Sequence, residues 1–292
     1  MGIYKQPNRW QCGPFALKHA LLVHGILVPE WEISRAAGTT WRGTDESRLA
    51  LAARRYGCEL PMIRKLDPDR ARRELVGYLR RGVPCLLCIQ DWGHWVTVVK
   101  EEKGQFILLD SEEPAVLVVA GWPALKRTWA YHEVDEYDED TVHTFYDIHP
   151  LIPRGRTKTR ATFSLERARY LRRESNRELA LLWDVYVDDL LAICRPRAPQ
   201  SRAVFSLGEF LRRHESMILD QLDFWHGGIE RTAAARVLER MHFVADTYGL
   251  VIPRGDEKRT IAAISVILGL WAAAEYGVGP VYRADALHKR RR

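Results

Sequence analysis

The chain has 292 residues, of which 47% are hydrophobic and 28% charged; this balance excludes a long disordered polypeptide and favours two globular domains. Its net charge of +6 is a small excess of 44 basic over 38 acidic residues, and much of it lies in residues 152–160 and in the C-terminal HKRRR run. Because no nucleic-acid-binding motif accompanies these runs, nucleic-acid binding is not expected.

The cysteines and the N-terminal residues indicate the cellular compartment of the protein. The five cysteines are an odd number scattered through the chain, and residues 1–10 lack the apolar core of a signal peptide. A cytoplasmic protein with reduced thiols is the resulting prediction. An apolar run covers residues 261–274, about 14 residues against the roughly 20 that a spanning helix needs, so no membrane span is predicted.

The first third of the chain has the periodicity and end signals of helices. The predicted helices cover residues 14–24, 45–56 and 68–81. Pro14 stands in the first turn of the first helix, and Gly25 follows its end. Asp45 is the expected cap of the second helix.

Short apolar and β-prone runs replace the helical pattern after residue 81. Strands are predicted at residues 84–90, 94–101, 105–111 and 114–121. A tight turn at 102–104 joins the second and third of them as a hairpin. Helices followed by an antiparallel sheet predict an α+β domain. Residues 132–149, rich in histidine and acidic side chains, are interpreted as a solvated loop, with a metal site as the alternative.

A basic, polar segment with proline and glycine divides the two halves. Residues 152–163 are interpreted as a linker, so the predicted domains are 1–151 and 164–292. From Ser164 onward, apolar residues recur at spacings of three and four, which predicts an all-α bundle of four or five helices. This helical domain is expected to recognise the substrate or a protein partner.

A cysteine at a predicted helix start is the first chemical feature of the chain. In CGPFAL, Cys12 precedes the Gly-Pro pair that opens the first predicted helix. Unpaired N–H groups and the helix dipole favour negative charge there, and hence a thiolate. Cys12 is interpreted as a nucleophile, with a buried core cysteine as the alternative.

Three other residues meet the remaining needs of nucleophilic catalysis: a base, a group that orients it and a donor to the oxyanion. His94 begins the second predicted strand and Asp110 ends the third, so the hairpin places them at the same end of paired strands. A hydrogen bond between them would fix the tautomer of the ring. The amide of Gln6, six positions before Cys12, is the expected oxyanion donor.

Gln6, CGPFAL, GHWVTV and ILLDS follow one another in an order that resembles the papain-like bacteriocin-processing peptidases, which cleave double-glycine leaders. The resemblance covers residues 4–120. It implies a papain-like fold, a triad of Cys12, His94 and Asp110, Gln6 as oxyanion donor, and cleavage of a peptide bond, commonly after Gly-Gly.

Two positions differ from the usual pattern of that family. Gln11 stands where an acidic residue is frequent, and Ser111 stands where proline usually follows the aspartate. These peptidases usually form the N-terminal domains of peptide exporters. Because neither membrane spans nor a phosphate-binding loop of the GxxxxGK[ST] type follow here, the exporter function is not expected.

These features predict a cysteine-type peptidase that acts on a peptide or protein through an acyl-enzyme, without a cofactor or metal. Two alternatives stay open: a papain-like acyl transferase or isopeptidase with the same triad, and a peptide-binding adaptor without turnover. Trp10, Trp92 and Trp95 lie beside the predicted catalytic residues, and they are interpreted as walls of the substrate groove or as ordinary packing residues. Cys85 and Cys88 lie in an apolar strand and are expected to pack in the core.

Overall fold

The structure, a computed structural model, describes residues 3, 5–113, 116–135, 141–155, 161–194, 204–226 and 230–276. The chain divides into two compact units, the first ending at Val185 and the second beginning at Tyr186. The domain limits predicted from the sequence, 1–151 and 164–292 with a linker at 152–163, stay a prediction. Residues 156–160 of that linker and the C-terminal basic run lie outside the described residues.

Helices and antiparallel strands together build the first unit. Its strands are β1 (Cys58–Glu59), β2 (Ile63–Lys65), β3 (Cys85–Ile89), β4 (His94–Glu102), β5 (Gln105–Leu109), β6 (Leu117–Gly121), β7 (Tyr131–Val134), β8 (Val142–Pro150) and β9 (Ile152–Pro153). Seven of them form one sheet in the order β2-β8-β3-β4-β5-β6, and β7 pairs with β8 beside this path. β1 and β9 form a separate two-stranded sheet.

Some of the helices of the first unit begin at a side chain that caps them. They are α1 (Cys12–Val23), α2 (Glu30–Ala37), α3 (Glu46–Arg55), α4 (Pro68–Arg80), α5 (Trp122–Trp129), α6 (Leu165–Leu171) and α7 (Arg177–Leu181), and α8 (Trp183–Cys194) crosses into the second unit. Asp45 accepts from the Arg48 backbone N–H at 2.9 Å, and Asp67 accepts from the Arg70 N–H at 2.7 Å. Each bond satisfies one of the amides that a helix start leaves unpaired.

The central sheet is buried on both faces. Leu86 and Cys88 of β3 pack in one apolar cluster with α1, α2 and α3. Cys85 and Leu87 of the same strand pack in a second cluster with α4 and α5. Because side chains alternate along a strand, a strand covered on both faces is a continuous apolar run, and this explains the CLLCI pattern of β3.

The α+β prediction for this part of the chain is confirmed, because helices pack on an antiparallel sheet. The interpretation of residues 132–149 as a solvated loop is wrong. Most of β7 and most of β8 lie there, and Tyr146 and Ile148 are buried in the core. The acidic residues 136–140 between these strands are outside the described residues.

The second unit has both helices and a small sheet. Beyond α8, its elements are α9 (Leu207–Arg213), α10 (Glu215–His226), α11 (Arg231–Tyr248), α12 (Glu257–Tyr276), β10 (Val204–Ser206) and β11 (Val251–Pro253). β10 and β11 pair antiparallel, so an all-α second domain is not confirmed. Of the helices that the structure describes, none has the length and hydropathy to cross a membrane.

Candidate active site

Cys12 is the first residue of α1, and a 3-10 turn at Arg9–Gln11 leads into it. Its backbone N–H is one of the four amides that a helix leaves without an intrahelical partner. Gly13 allows α1 to approach α3 and the residues before it, because a Cβ at this position would lie 3.4 Å from Leu49 Cδ2 and 3.2 Å from Thr44 Cβ. On the opposite side, Thr97 Oγ1 donates to the Ala16 carbonyl at 2.6 Å and ties α1 to β4.

His94 is the first residue of β4 and follows a strained turn. Gln90, Asp91 and Trp92 all adopt left-handed backbone angles, with φ of 57°, 50° and 62°. The Gly93 N–H donates to the Gln90 carbonyl at 3.0 Å and closes this turn. Consecutive left-handed residues other than glycine cost free energy and are retained where the surrounding structure fixes them. Gly93 leads from this turn into His94 at the start of β4.

The imidazole of His94 is bound to Asp110, which directly follows β5. Nε2 lies 2.7 Å from Asp110 Oδ1, and the ring is buried. The Glu112 backbone N–H donates to the same Oδ1 at 3.0 Å and helps to hold the carboxylate. The two residues lie at the same end of the hairpin, as the sequence predicts, but beyond its last paired residues, Thr97 and Leu109.

The surroundings of the ring raise the pKa of His94 to about 10. Burial by itself lowers this pKa, but the Asp110 carboxylate and the neighbouring Cys12 thiol favour the protonated ring and outweigh burial. Nδ1 is buried and makes no hydrogen bond to another described residue. Its nearest carboxylate oxygen is Glu112 Oε1, at 3.8 Å. Nδ1 is thus the ring nitrogen that stays open for proton exchange with a thiol.

Gln6 is attached to the same end of β5. Its backbone N–H donates to the Ser111 carbonyl at 2.8 Å, and its Oε1 accepts from the Ser111 hydroxyl at 2.5 Å. The two residues are buried. Consecutive residues, Asp110 and Ser111, thus hold His94 and Gln6.

A cleft of about 340 Å³ opens beside Cys12. The three tryptophans singled out in the sequence all line it. Trp10 and Trp92 are exposed, whereas Trp95 is buried and its indole N–H donates to the Thr44 carbonyl at 3.1 Å. Trp92 stacks on Tyr131, with ring centroids 4.2 Å apart.

Several cleft residues are absent from the sequence-based assignment. Trp41, Met62 and Glu46 also line the cleft. Trp41 is 73% exposed, and the Arg42 guanidinium lies over its ring. The sequence offers one signal for Trp41, which is that this tryptophan stands beside arginine and glycine in a polar stretch. Met62 and Glu46 come from separate segments with no distinguishing pattern.

The other described cysteines are poor nucleophiles. Burial raises the pKa of Cys58 to about 11 and that of Cys88 to about 12, and it raises the pKa of Cys85 further still. These thiols therefore stay protonated at neutral pH. Within the described part of the chain, no group of three or more potential ligands is arranged to hold a metal ion.

Residues 1–118 match the model of the Peptidase C39 family. The resemblance predicted from the sequence over residues 4–120 is thereby confirmed. The match to C39 indicates a cysteine-type peptidase in this part of the chain. No curated protein sequence matches the chain.

Solved structures similar to this chain include C39-type domains. The peptidase domain of Streptococcus ComA, a bifunctional ABC transporter involved in quorum sensing, is 17% identical, with a TM-score of 0.39 over 52% of this chain and 98% of its own. A double glycine motif protease from an AMS/PCAT transporter, in complex with the leader peptide, is 17% identical, with a TM-score of 0.37; the match covers 51% of this chain and 90% of that protease. A C39-like peptidase from Bacillus anthracis is 12% identical, with a TM-score of 0.36; the match covers 53% of this chain and 95% of that peptidase.

Proposed function

We propose that the chain is a cysteine peptidase that cleaves a peptide bond in a peptide or protein through a Cys12–His94–Asp110 triad. The observation that carries the proposal is the His94–Asp110 hydrogen bond of 2.7 Å, made by a ring that also interacts with the Cys12 thiol at the start of α1. Cys12 is buried but lines the cleft, which is the route by which a substrate would reach that thiol.

The chemistry begins with a thiolate–imidazolium pair. The raised pKa of His94 keeps its ring protonated at neutral pH, and the positive charge stabilises a thiolate on Cys12. The α1 N-terminus favours the same negative charge. Asp110 holds the ring by Nε2, so that Nδ1 is the nitrogen that exchanges the proton.

Cleavage proceeds in two halves. The Cys12 thiolate attacks the carbonyl carbon, and the negative charge that develops on the oxygen is stabilised by the Cys12 N–H and the Gln6 amide. His94 then gives its proton to the leaving amine as the C–N bond breaks, which leaves a thioester. Water, deprotonated by His94, attacks the thioester; the C–S bond then breaks, which releases the carboxylic acid and regenerates the thiolate–imidazolium pair.

The cleft favours an extended peptide as substrate. Exposed indole rings at Trp10, Trp41 and Trp92 offer flat apolar walls to a peptide chain. The resemblance to double-glycine leader peptidases makes a Gly-Gly segment the first substrate to test. We propose that the second unit recognises the protein substrate or a partner.

A fluorogenic Gly-Gly amide of aminomethylcoumarin, with an N-terminal blocking group, tests this function. Wild-type protein is expected to release the fluorophore, and Cys12→Ala is expected to lower turnover to background. Cys58→Ala is the matched control, because it removes a buried thiol that is not among the residues lining the cleft, and it is expected to keep turnover within about twofold. Equal turnover in wild type and Cys12→Ala would contradict the proposal. Repeating the reaction with an added amine separates hydrolysis from acyl transfer by product mass.

A further inference from the structure

Ser111 holds Gln6 by both its backbone and its side chain. The serine is almost completely buried, with 1% of its surface exposed. Its carbonyl accepts the Gln6 backbone N–H at 2.8 Å, and its hydroxyl donates to Gln6 Oε1 at 2.5 Å. A proline at position 111 could not form the second bond, because it has no hydroxyl.

The hydroxyl bond determines which end of the Gln6 amide is free. A carboxamide has an acceptor oxygen and a donor NH2 group on opposite sides. Because Oε1 is occupied by Ser111, the NH2 group is directed away from the serine. Among the hydrogen bonds of the described residues, none uses this NH2 group. Without the anchor, rotation about the last side-chain bond would exchange the two ends.

The orientation matters because the two ends of the amide have opposite effects on an oxyanion. An NH2 group directed at the developing charge stabilises it, whereas a carbonyl oxygen in that place repels it. Donors are most effective when their orientation is fixed before the reaction, since no reorganisation is then needed.

We propose that Ser111 is a positioning residue that fixes the Gln6 amide with its NH2 group toward the oxyanion; this inference rests on the proposed peptidase function. Asp110 and Ser111 are adjacent, and they hold His94 and Gln6 respectively. One strand end therefore aligns the proton donor and the oxyanion donor with each other.

The test compares wild type with Gln6→Ala, Ser111→Ala and the double variant, using the blocked Gly-Gly aminomethylcoumarin amide. We expect Gln6→Ala to lower kcat by about 10²-fold to 10³-fold, as loss of an oxyanion donor does. Ser111→Ala is expected to lower kcat by roughly tenfold to a hundredfold, with KM unchanged, because the amide stays present but loses its orientation. In the double variant, kcat is expected to equal that of Gln6→Ala within about twofold, because Ser111 acts through Gln6.

Alkylation of Cys12 by iodoacetamide separates positioning from general structural damage. This reaction forms no oxyanion, so all four proteins are expected to react at the same rate within about twofold. If Ser111→Ala does not fold, Ser111→Cys replaces it in the test. A cysteine keeps the size of the side chain but is a weaker hydrogen-bond donor, so Ser111→Cys is expected to lower kcat. Added to Gln6→Ala, the same substitution is expected to lower kcat no further.

Wild-type kcat in Ser111→Ala, additive losses in the double variant, or a parallel fall in alkylation would each overturn the inference. Wild-type protein without any turnover that depends on Cys12 would instead overturn the peptidase function itself, and this inference with it. The two failures are therefore distinguishable.

Discussion

The Nε2 atom of His94 lies 2.7 Å from Oδ1 of Asp110, and the ring is buried. Because one ring nitrogen is bound to the carboxylate, the other is the one available to the thiol. This pair accounts for the direction of the His94 pKa, and the proposed role of the residue as both acid and base depends on it.

Replacement of the carboxylate is expected to shift the pH dependence of turnover. In wild type, the His94 ring keeps its proton up to about pH 10, so activity is expected to fall only as pH rises through that value. In Asp110→Asn, the raising effect of the charge is lost while burial stays, so the alkaline fall is expected at lower pH. We expect kcat to decrease by about 10²-fold to 10⁴-fold as well. A pH profile of kcat measures both effects, and an unshifted alkaline limb in Asp110→Asn would contradict the role of the carboxylate.

Buried neutral histidines are expected to make the fold sensitive to acid. Both ring nitrogens of His19 in α1 lack hydrogen-bond partners within the described chain, and burial holds its pKa well below the ordinary value. Burial likewise lowers the pKa of His149 to about 4. Because these rings take up protons more readily in the unfolded chain, stability is lost as pH falls below about 6.5.

His19→Leu tests this acid sensitivity. The substitution removes an unsatisfied buried polar ring, so we expect the free energy of unfolding to rise by about 1–3 kcal/mol at pH 7. We also expect a smaller loss of stability between pH 6.5 and pH 5. His132→Gln, at an exposed position, is the control and is expected to change stability by less than about 0.5 kcal/mol. Denaturant titrations at several pH values measure the free energy of unfolding and its pH dependence. A His19→Leu variant that is less stable than wild type would contradict the prediction that the buried ring is unfavourable.

His94 is expected to have the opposite effect on stability. Its pKa in the fold, about 10, is above the unfolded value of about 6.5, so its contribution is complete below pH 6.5 and is lost as pH rises toward 10. In His94→Gln, the alkaline loss of stability over this window is expected to be smaller. Denaturant titrations between pH 6.5 and pH 10 measure it, and identical slopes in the two proteins would contradict the raised pKa.

The turn before His94 is expected to tolerate no side chain at Gly93. A Cβ there would lie 2.9 Å from the Gln90 carbonyl oxygen, so Gly93→Ala must displace backbone. We expect this variant to lose about 1–3 kcal/mol of stability and most of its turnover, since His94 moves with the turn. Gly77→Ala in α4, where no atom lies within 4 Å of the added Cβ, is the matched control. It is expected to gain about 0.5–1 kcal/mol with turnover unchanged; an equal response of the two variants in thermal unfolding would contradict the account.

The exposed indole of Trp92 is expected to contribute to substrate binding. Trp92→Ala removes a wall of the cleft, so we expect KM for a peptide substrate to rise by about tenfold with a smaller change in kcat. Trp31→Ala is the control, because Trp31 is similarly exposed and is not among the residues that line the cleft. Steady-state kinetics compares them, and equal KM values in the two variants would exclude Trp92 from the binding surface.

Local signals predicted the parts of the fold that local chemistry determines. Asp45 marked the start of α3, and the turn at 102–104 gave the hairpin that brings His94 and Asp110 together. The strand β8 was missed because its sequence is rich in polar and titratable residues, which suggested solvent exposure. Its His149 is nevertheless buried, and its ring packs edge-on against Trp95 of β4, with ring centroids 5.1 Å apart. Only the tertiary structure shows such a contact.

The candidate site likewise has residues that the sequence predicts and residues that only the tertiary structure reveals. Cys12 and His94 were recognisable because each stands at an element boundary with a distinctive neighbour. The anchoring of Gln6 by Ser111 joins residues 105 positions apart, and no spacing rule predicts a contact of that kind. Glu46 and Met62 reach the cleft for the same reason, through packing of separate segments.

The most direct test of the account is the site of covalent labelling by a blocked Gly-Gly chloromethyl ketone, read by tandem mass spectrometry. Because burial keeps Cys58, Cys85 and Cys88 protonated, we expect the label on Cys12. We also expect His94→Ala to lower the labelling rate by at least about tenfold, since the imidazolium that stabilises the thiolate is lost. Labelling of another cysteine at the wild-type rate, or labelling of Cys12 that is unchanged in His94→Ala, would contradict the proposed catalytic pair.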